Sequence, residues 1–156
     1  PLCRTMNELN SQPEASEFVI HIHSPGGSVD EAFAIFDALR ATGKKLTAMI
    51  EGLCASSATI IALAASERKM TENSEFMIHL PFAGMVGDSE DLQKAADMLR
   101  AYEEKVLNLY VEATGANREA VYEMMKEETW LSSEQAKGLG FVTEMIATMK
   151  AVARVN

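Results

Sequence analysis

Apolar and polar positions along the chain alternate in some stretches and recur every three to four residues in others, and the two periods divide it into elements. Leu2, Met6 and Leu9, with Cys3, stand at helical spacing and predict the end of an amphipathic helix over 2–10, followed by a polar loop from Ser11 to Ser16 that contains Pro13. Phe18-Val19-Ile20-His21-Ile22-His23 predicts a strand that ends in Ser24-Pro25-Gly26-Gly27. That turn is tight, and its glycines let backbone N–H groups approach another group closely. Ser28 and Glu31 form a capping box, opening a helix with Ala32, Phe33, Ile35, Phe36 and Leu39 on its buried face and Gly43 as its stop. Leu46 to Ile50 predicts a buried strand broken by Gly52; an Ala/Ile-rich helical pattern follows, closed by Ser66-Glu67-Arg68-Lys69. Strand, helix, strand, helix with short loops is the grammar of a parallel sheet covered by helices.

Beyond it, Met70-Thr71 is a short extended piece, Glu72-Asn73-Ser74 a turn, and Glu75 to His79 a further strand ending at Leu80-Pro81. Phe82 to Gly87 is apolar, Gly-containing and flexible. Asp88 or Ser89 then caps a helix that keeps its period through Leu92, Ala95, Ala96, Leu99, Tyr102, Val106, Leu109 and Ala113 until Gly115. At 3.6 residues per turn that is roughly seven turns. In so short a chain such a helix is expected to project, and its exposed apolar edge suits a partner subunit. Asn117 caps another helix through Met125, Ser132 and Gln135 make a second capping box, and Phe141-Val142-Thr143 predicts a last strand. Residues 145–156 are weakly patterned and read as a weakly structured tail.

Composition narrows the classes of function. The 156 residues suit one domain with a sizeable core, at 47% hydrophobic and 24% charged. A net charge of −9 argues against non-specific binding to nucleic acid or to an anionic membrane surface, and leaves peptide or protein partners open. Cys3 and Cys54 make neither a metal spacing nor a disulfide framework, which fits a reducing cytoplasm. The apolar run from Ala58 to Ala65 is too short to span a bilayer. The chain opens on Pro1 rather than Met, so an upstream piece is expected.

Two places carry candidate chemistry. Ser56 sits where a strand turns into a helix, near the positive end of the helix dipole, and the next N–H, that of Ser57, has no intrahelical partner. A nucleophile and half an oxyanion hole would then be adjacent, although a serine at such a turn also serves as a plain helix cap. His79 closes an apolar strand beside a proline, where a side chain is presented as a base or held as a structural polar group. His21 and His23 share a strand face, but no third ligand of suitable type stands nearby, so they read as structural residues and no metal site is predicted.

With Ser24-Pro25-Gly26-Gly27, Gly52-x-x-Ala55-Ser56, Met77-Ile78-His79-x-Pro81 and Trp130-Leu131-Ser132 in this order, the chain resembles the proteolytic subunit of the Clp protease, ClpP, from about Phe18 to Phe141. Phage head-maturation proteases of the ClpP-like type resemble it more closely still, through Glu128-Thr129-Trp130. The resemblance implies an α/β, ClpP/crotonase-like fold of repeated strand-strand-helix units with a long projecting helix. Residues 1–156 would form a single domain that lacks the family's N-terminal strand and helix. Ser56 matches the family's nucleophile and His79 its general base; Glu128 falls where the family usually has Asp, with Glu127 an adjacent competitor and Asp88 and Asp91 weaker ones. Gly27 and Ser57 match the oxyanion-hole donors. An extended peptide would lie between Ser28 and Val29 on one side and the run from Phe82 through Ala83 and Gly84 to Val86 on the other. His23 stands where many members have Asn, and Ser57 where Met is frequent, but neither change removes a backbone N–H.

The resemblance therefore implies a serine endopeptidase acting through an acyl-enzyme within a ring-shaped homo-oligomer, with the long helix joining stacked rings. It implies no cofactor and no metal. The setting would be the bacterial cytoplasm or a phage prohead, where the protease matures the capsid. The family's upstream region that meets an ATP-driven unfoldase is largely missing, so docking of that partner is not implied. The competing reading is a catalytically degenerate ClpP-like scaffold or shell component, supported by the Asp-to-Glu change alone. A crotonase-type acyl-CoA enzyme ranks lower, since it would need an acid or base in place of Ser56 and basic residues for the CoA phosphates.

Overall fold

Strand β2, Lys45–Ala55, organises the sheet because three other strands pair with it. The structure, a computed structural model, describes residues 7–9 and 11–147. The first half of β2 takes β1 (Glu17–Ser24) on one side and β3 (Glu67–Thr71) on the other; its last residues, Leu53 to Ala55, take β4 (Glu75–Ile78). All of these pairings are parallel. The exchange of partners occurs at Gly52, whose φ of +96° lets the strand kink and continue where a break was expected. Its N–H donates to Ser74 Oγ at 2.7 Å, and a Cβ there would stand 2.6 Å from His23 Nδ1. The His21 and His23 rings both turn to Glu51, His21 Nδ1 to the carboxylate and His23 Nδ1 to the main-chain carbonyl, each at 2.9 Å.

Helix α1, Val29–Ala41, connects β1 to β2; Ser28 caps it by accepting the Glu31 N–H, and Gly43 at φ +62° lies just beyond its end. Helix α2 is shorter than its apolar run suggested, Ala58–Ala62, and Glu67 to Lys69 belong to β3 instead of closing that helix. The charges in β3 are paired sideways along the sheet, Glu67 with Lys45 at 2.9 Å and Lys69 with Glu144 at 3.1 Å. Arg68 donates to three carbonyls, those of Phe141 at 2.7 Å, Ala65 at 2.8 Å and Gly140 at 3.2 Å. It thereby ties the far end of the chain to the sheet. This far end holds a second correction: Phe141 and Val142 turn into the core, and the last strand is β6, Glu144–Ile146, parallel to β3. Met145 is thus in a strand, while the rest of the expected tail from 148 onward lies outside the described residues, as does most of the helix expected over 2–10, of which 7–9 are helical.

The long helix α3 spans Ser89–Thr114, with the Asp88 carboxylate accepting the N–H groups of Glu90 and Asp91 and Gly115 ending it at φ +67°. Its buried residues, Val106, Leu107 and Tyr110, all lie in the C-terminal half, whereas Leu92 and Met98 stay about half exposed. Helix α4, Arg118–Lys126, is capped by Asn117. It leads into β5, Thr129–Ser132, a strand not expected from the pattern; β5 runs antiparallel to β4 and completes the order β5-β4-β2-β3-β6, with β1 also on β2. The capping box of Ser132 and Gln135 then starts α5, Ser133–Gly138. Phe76, Phe141 and Tyr110 pack ring against ring at 5.2 and 5.4 Å, filling the core between the sheet and α3.

Candidate active site

Because β4 runs parallel to the end of β2, the residues immediately past the two C-terminal ends are neighbours. Ser56 follows Ala55, and His79 follows Ile78. Ser56 Oγ lies 2.7 Å from His79 Nε2, a distance at which the hydroxyl can hand its proton to the imidazole. The chain reverses sharply here: Ser56 has φ +56°, a left-handed conformation that non-glycine residues take only when their surroundings hold them. The Ser56 N–H donates to Met77 O at 2.9 Å, and the Ser56 carbonyl accepts the Thr59 N–H at 3.0 Å and the Thr59 hydroxyl at 2.6 Å. Helix α2 has five residues, too few for an appreciable macrodipole, and the N–H groups of Thr59 and Ile60 in its first turn are taken by Ser56 O and Ser57 O.

The Ser57 nitrogen, just ahead of α2, lies beside the Ser24-Pro25-Gly26-Gly27 turn. Gly26, at φ +96°, packs so tightly against the Ser56 turn that a Cβ would lie 2.7 Å from Ala55 O and from Ser56 Cβ, and 2.9 Å from Ser57 N. Gly27 has nothing within 4 Å of such an atom, so its neighbour is the glycine on which the close approach depends. Gly27, Ser28 and Ser57 share the lining of a pocket of about 180 Å³ between the two turns. A smaller pocket, about 20 Å³, is lined by Val29, Ser56, Ser57, His79, Pro81 and Tyr110, among others. Phe82, Ala83 and Gly84 are exposed, and the Phe82 ring stands 5.5 Å from the imidazole of His79. A larger cavity, about 660 Å³, lies along β1 beneath Ile35, Leu39 and Ile61, and is lined by neither Ser56 nor His79.

The carboxylate is the part of the sequence expectation that the geometry does not assemble. The β4–β5 ladder ends with Ile78 paired to Thr129, and continued by one step that register would set Glu128 across from His79. Yet Glu128 has φ +52°, its side chain is exposed, and it accepts the Trp130 Nε1–H at 3.3 Å. Among the described residues no hydrogen bond joins Glu128 to His79. The alternatives are no nearer to that role: Glu127 is exposed at the end of α4, and the Asp88 carboxylate is occupied in capping α3. Cys54 is fully buried, and burial pushes its thiol far above the usual range, so it remains a protonated core residue. Among the described residues no cluster of His, Cys, Asp and Glu could hold a metal ion, and no helix is long and apolar enough to cross a membrane.

Three residues at the site escaped the reading of the sequence: Gly26 as the sterically obligatory glycine, and Thr59 and Tyr110 behind the nucleophile. Thr59 carried a weak signal, a hydroxyl inside an Ala/Ile run. Tyr110 carried none, since it sits 51 positions from its partner in an ordinary apolar stripe.

Comparison with known proteins gives a consistent result. A family model described as Clp protease matches residues 1–149. The ATP-dependent Clp protease proteolytic subunit 1 of Chlamydia abortus is 33% identical over 139 residues, covering 86% of this chain and 71% of the relative. Proteolytic subunit 2 of Treponema denticola is 29% identical over 153 residues, covering 97% of this chain and 76% of the relative. Among solved structures, a mutant of ClpP1 from Listeria monocytogenes superposes with a TM-score of 0.85 at 27% identity, covering 94% of this chain and 84% of the other.

Proposed function

Since the chain belongs to the Clp protease family of serine peptidases, we propose that it hydrolyses peptide bonds through an acyl-enzyme on Ser56, with His79 as general base. The observation that carries this reading is the 2.7 Å contact between Ser56 Oγ and His79 Nε2 at the ends of two parallel strands. His79 takes the hydroxyl proton as Oγ attacks the scissile carbonyl. The N–H groups of Gly27 and Ser57 receive the oxyanion, and the imidazolium returns the proton to the leaving amine. Water, deprotonated by the same imidazole, then frees the acyl group. The peptide lies extended between Ser28 and Val29 and the Phe82–Gly84 segment, whose exposed backbone can pair with it.

In this reading Glu128 is the third member, and its carboxylate must leave the Trp130 indole to reach the imidazole. Support comes from the register that, continued by one step, would set it across from His79, and from the task of the acid, to orient and stabilise the histidine, which either carboxylate can perform. Glu128→Gln is expected to lower kcat about 10²- to 10⁴-fold at unchanged KM, with Glu128→Asp recovering most of the loss. Full activity in the Gln variant, measured on a fluorogenic peptide, would move the role to another carboxylate.

The working form is a ring of identical subunits, for which the half-exposed Leu92 and Met98 on α3 provide apolar contact. Maturation of a phage capsid is the finer setting, and it rests on the Glu128-Thr129-Trp130 run alone. The test is a fluorophosphonate probe applied across size-exclusion fractions, with the adduct located by peptide mass mapping. Labelling at Ser56 in an assembled fraction is the expected result. Assembled protein that takes up no probe would instead identify a catalytically degenerate scaffold.

A further inference from the structure

We propose that Thr59 and Tyr110 are positioning residues for the nucleophile: a hydroxyl chain from Tyr110 through Thr59 to the Ser56 carbonyl holds the left-handed turn on which Oγ is presented. The inference rests on Ser56 being the nucleophile. Thr59 Oγ1 donates to Ser56 O at 2.6 Å and is itself 2.6 Å from the Tyr110 hydroxyl. Thr59 has one proton to give and spends it on the carbonyl, so the Tyr110 hydroxyl must be the donor of the other bond. Burial pushes the Tyr110 hydroxyl well above its ordinary range, and it keeps that proton at any working pH. Donors arranged head to tail polarise one another, which strengthens the terminal bond to the carbonyl.

The placement of these groups separates positioning from mere packing. Thr59 is completely buried and Tyr110 nearly so, at 0% and 1% exposure. Burying two hydroxyls costs free energy that an apolar pair of the same shape would not incur. What the hydroxyls add is a directed contact to the peptide of a residue in a strained conformation. The other flank of Ser56 is fixed by its N–H on Met77 O, two residues before His79, so nucleophile and base share one backbone reference. Tyr110 comes from α3 and also lines the small pocket beside Ser56 and His79. Without the chain, the turn keeps its Thr59 N–H bond but gains freedom about the carbonyl, and Oγ spends less time at attacking distance.

The experiment compares Thr59→Val, Thr59→Ser and Tyr110→Phe with the unaltered protein, reading kcat and KM on a fluorogenic peptide, the rate of fluorophosphonate acylation, and assembly by size exclusion. Thr59→Val is expected to lower kcat and the acylation rate by about five- to tenfold, and Tyr110→Phe, which removes only the polarisation of the terminal bond, by about twofold, with KM within twofold in both. Thr59→Ser, which keeps the hydroxyl, should stay at the original rate. The double variant should be no slower than Thr59→Val alone, because Tyr110 acts on the carbonyl only through Thr59. Unchanged kcat in Tyr110→Phe, which keeps the ring and the Thr59–Ser56 bond, overturns the proposal even where Thr59→Val fails to assemble. A loss in Thr59→Ser as large as in Thr59→Val also overturns it, because packing would then be the cause. Both of these results are distinct from failure of the nucleophile assignment, in which the unaltered protein itself would carry no adduct on Ser56.

Discussion

Ser56→Ala should leave an assembled protein whose peptide hydrolysis is lower by about 10⁶-fold. A loss of that size is expected when the atom removed is the one that bonds to substrate, because the oxyanion donors and the binding surface can supply only the residual rate. Stability should change little. The Ser56 hydroxyl has His79 Nε2 as its hydrogen-bond partner, both residues are partly open to solvent, and alanine accepts the left-handed backbone with about the same strain as serine. The substitution thus removes one oxygen and leaves the turn. Progress curves on a fluorogenic peptide, with thermal unfolding as the control, separate the two effects. Retention of more than about a tenth of the activity would move the nucleophile to the adjacent Ser57, since a true nucleophile's removal cannot be that mild.

Gly26→Ala is the second large effect, and it strikes stability and activity together. The new methyl would meet Ala55 O and Ser56 Cβ at 2.7 Å and Ser57 N at 2.9 Å, and the first and last of these are backbone atoms that cannot swing aside. At φ +96° the alanine is strained in addition. A cost of about 2–4 kcal/mol is expected from the combined clash and strain. Relief can come only by separating the two turns, and a shift of about 1 Å between nucleophile and oxyanion donors lowers the rate roughly 10²-fold. Gly27→Ala is the control: its Cβ has open space, its N–H remains, and thermal unfolding should be close to that of the unaltered protein. Equal destabilisation at both positions would show that the close approach seen at Gly26 is not what the turn depends on.

The parts of the site legible in the sequence are those set by local geometry. A serine at a strand-to-helix turn, a Pro-Gly-Gly after a strand, a histidine at a strand end and a helix bracketed by Asp88 and Gly115 all announce themselves within a few residues. The features that escape depend on partners far along the chain. Gly52 resembles a break because the reason β2 survives it, an exchange of neighbours from β3 to β4, is not local. Glu67 to Lys69 resembles a polar loop because the lysine and glutamate that satisfy a charged strand sit on β2 and β6. Phe141 and Val142 resemble strand residues because burial in a core and burial in a sheet draw on the same side chains. Glu128 is legible as a backbone position, but its rotamer depends on the Trp130 indole two residues on, which no periodicity encodes.

The antiparallel register of β4 and β5 also limits how this sequence can drift. One residue inserted or deleted between Lys126 and Thr129 would either strain the two-residue link from α4 or slide β5 by a strand step of about 3.3 Å, turning each of its side chains to the opposite face. Such a slide would also carry Glu128 away from its position one step beyond the Ile78–Thr129 pair. Exchanging aspartate for glutamate alters reach by one methylene and leaves the register alone. Between α4 and β5 divergence therefore proceeds more readily by substitution than by insertion or deletion.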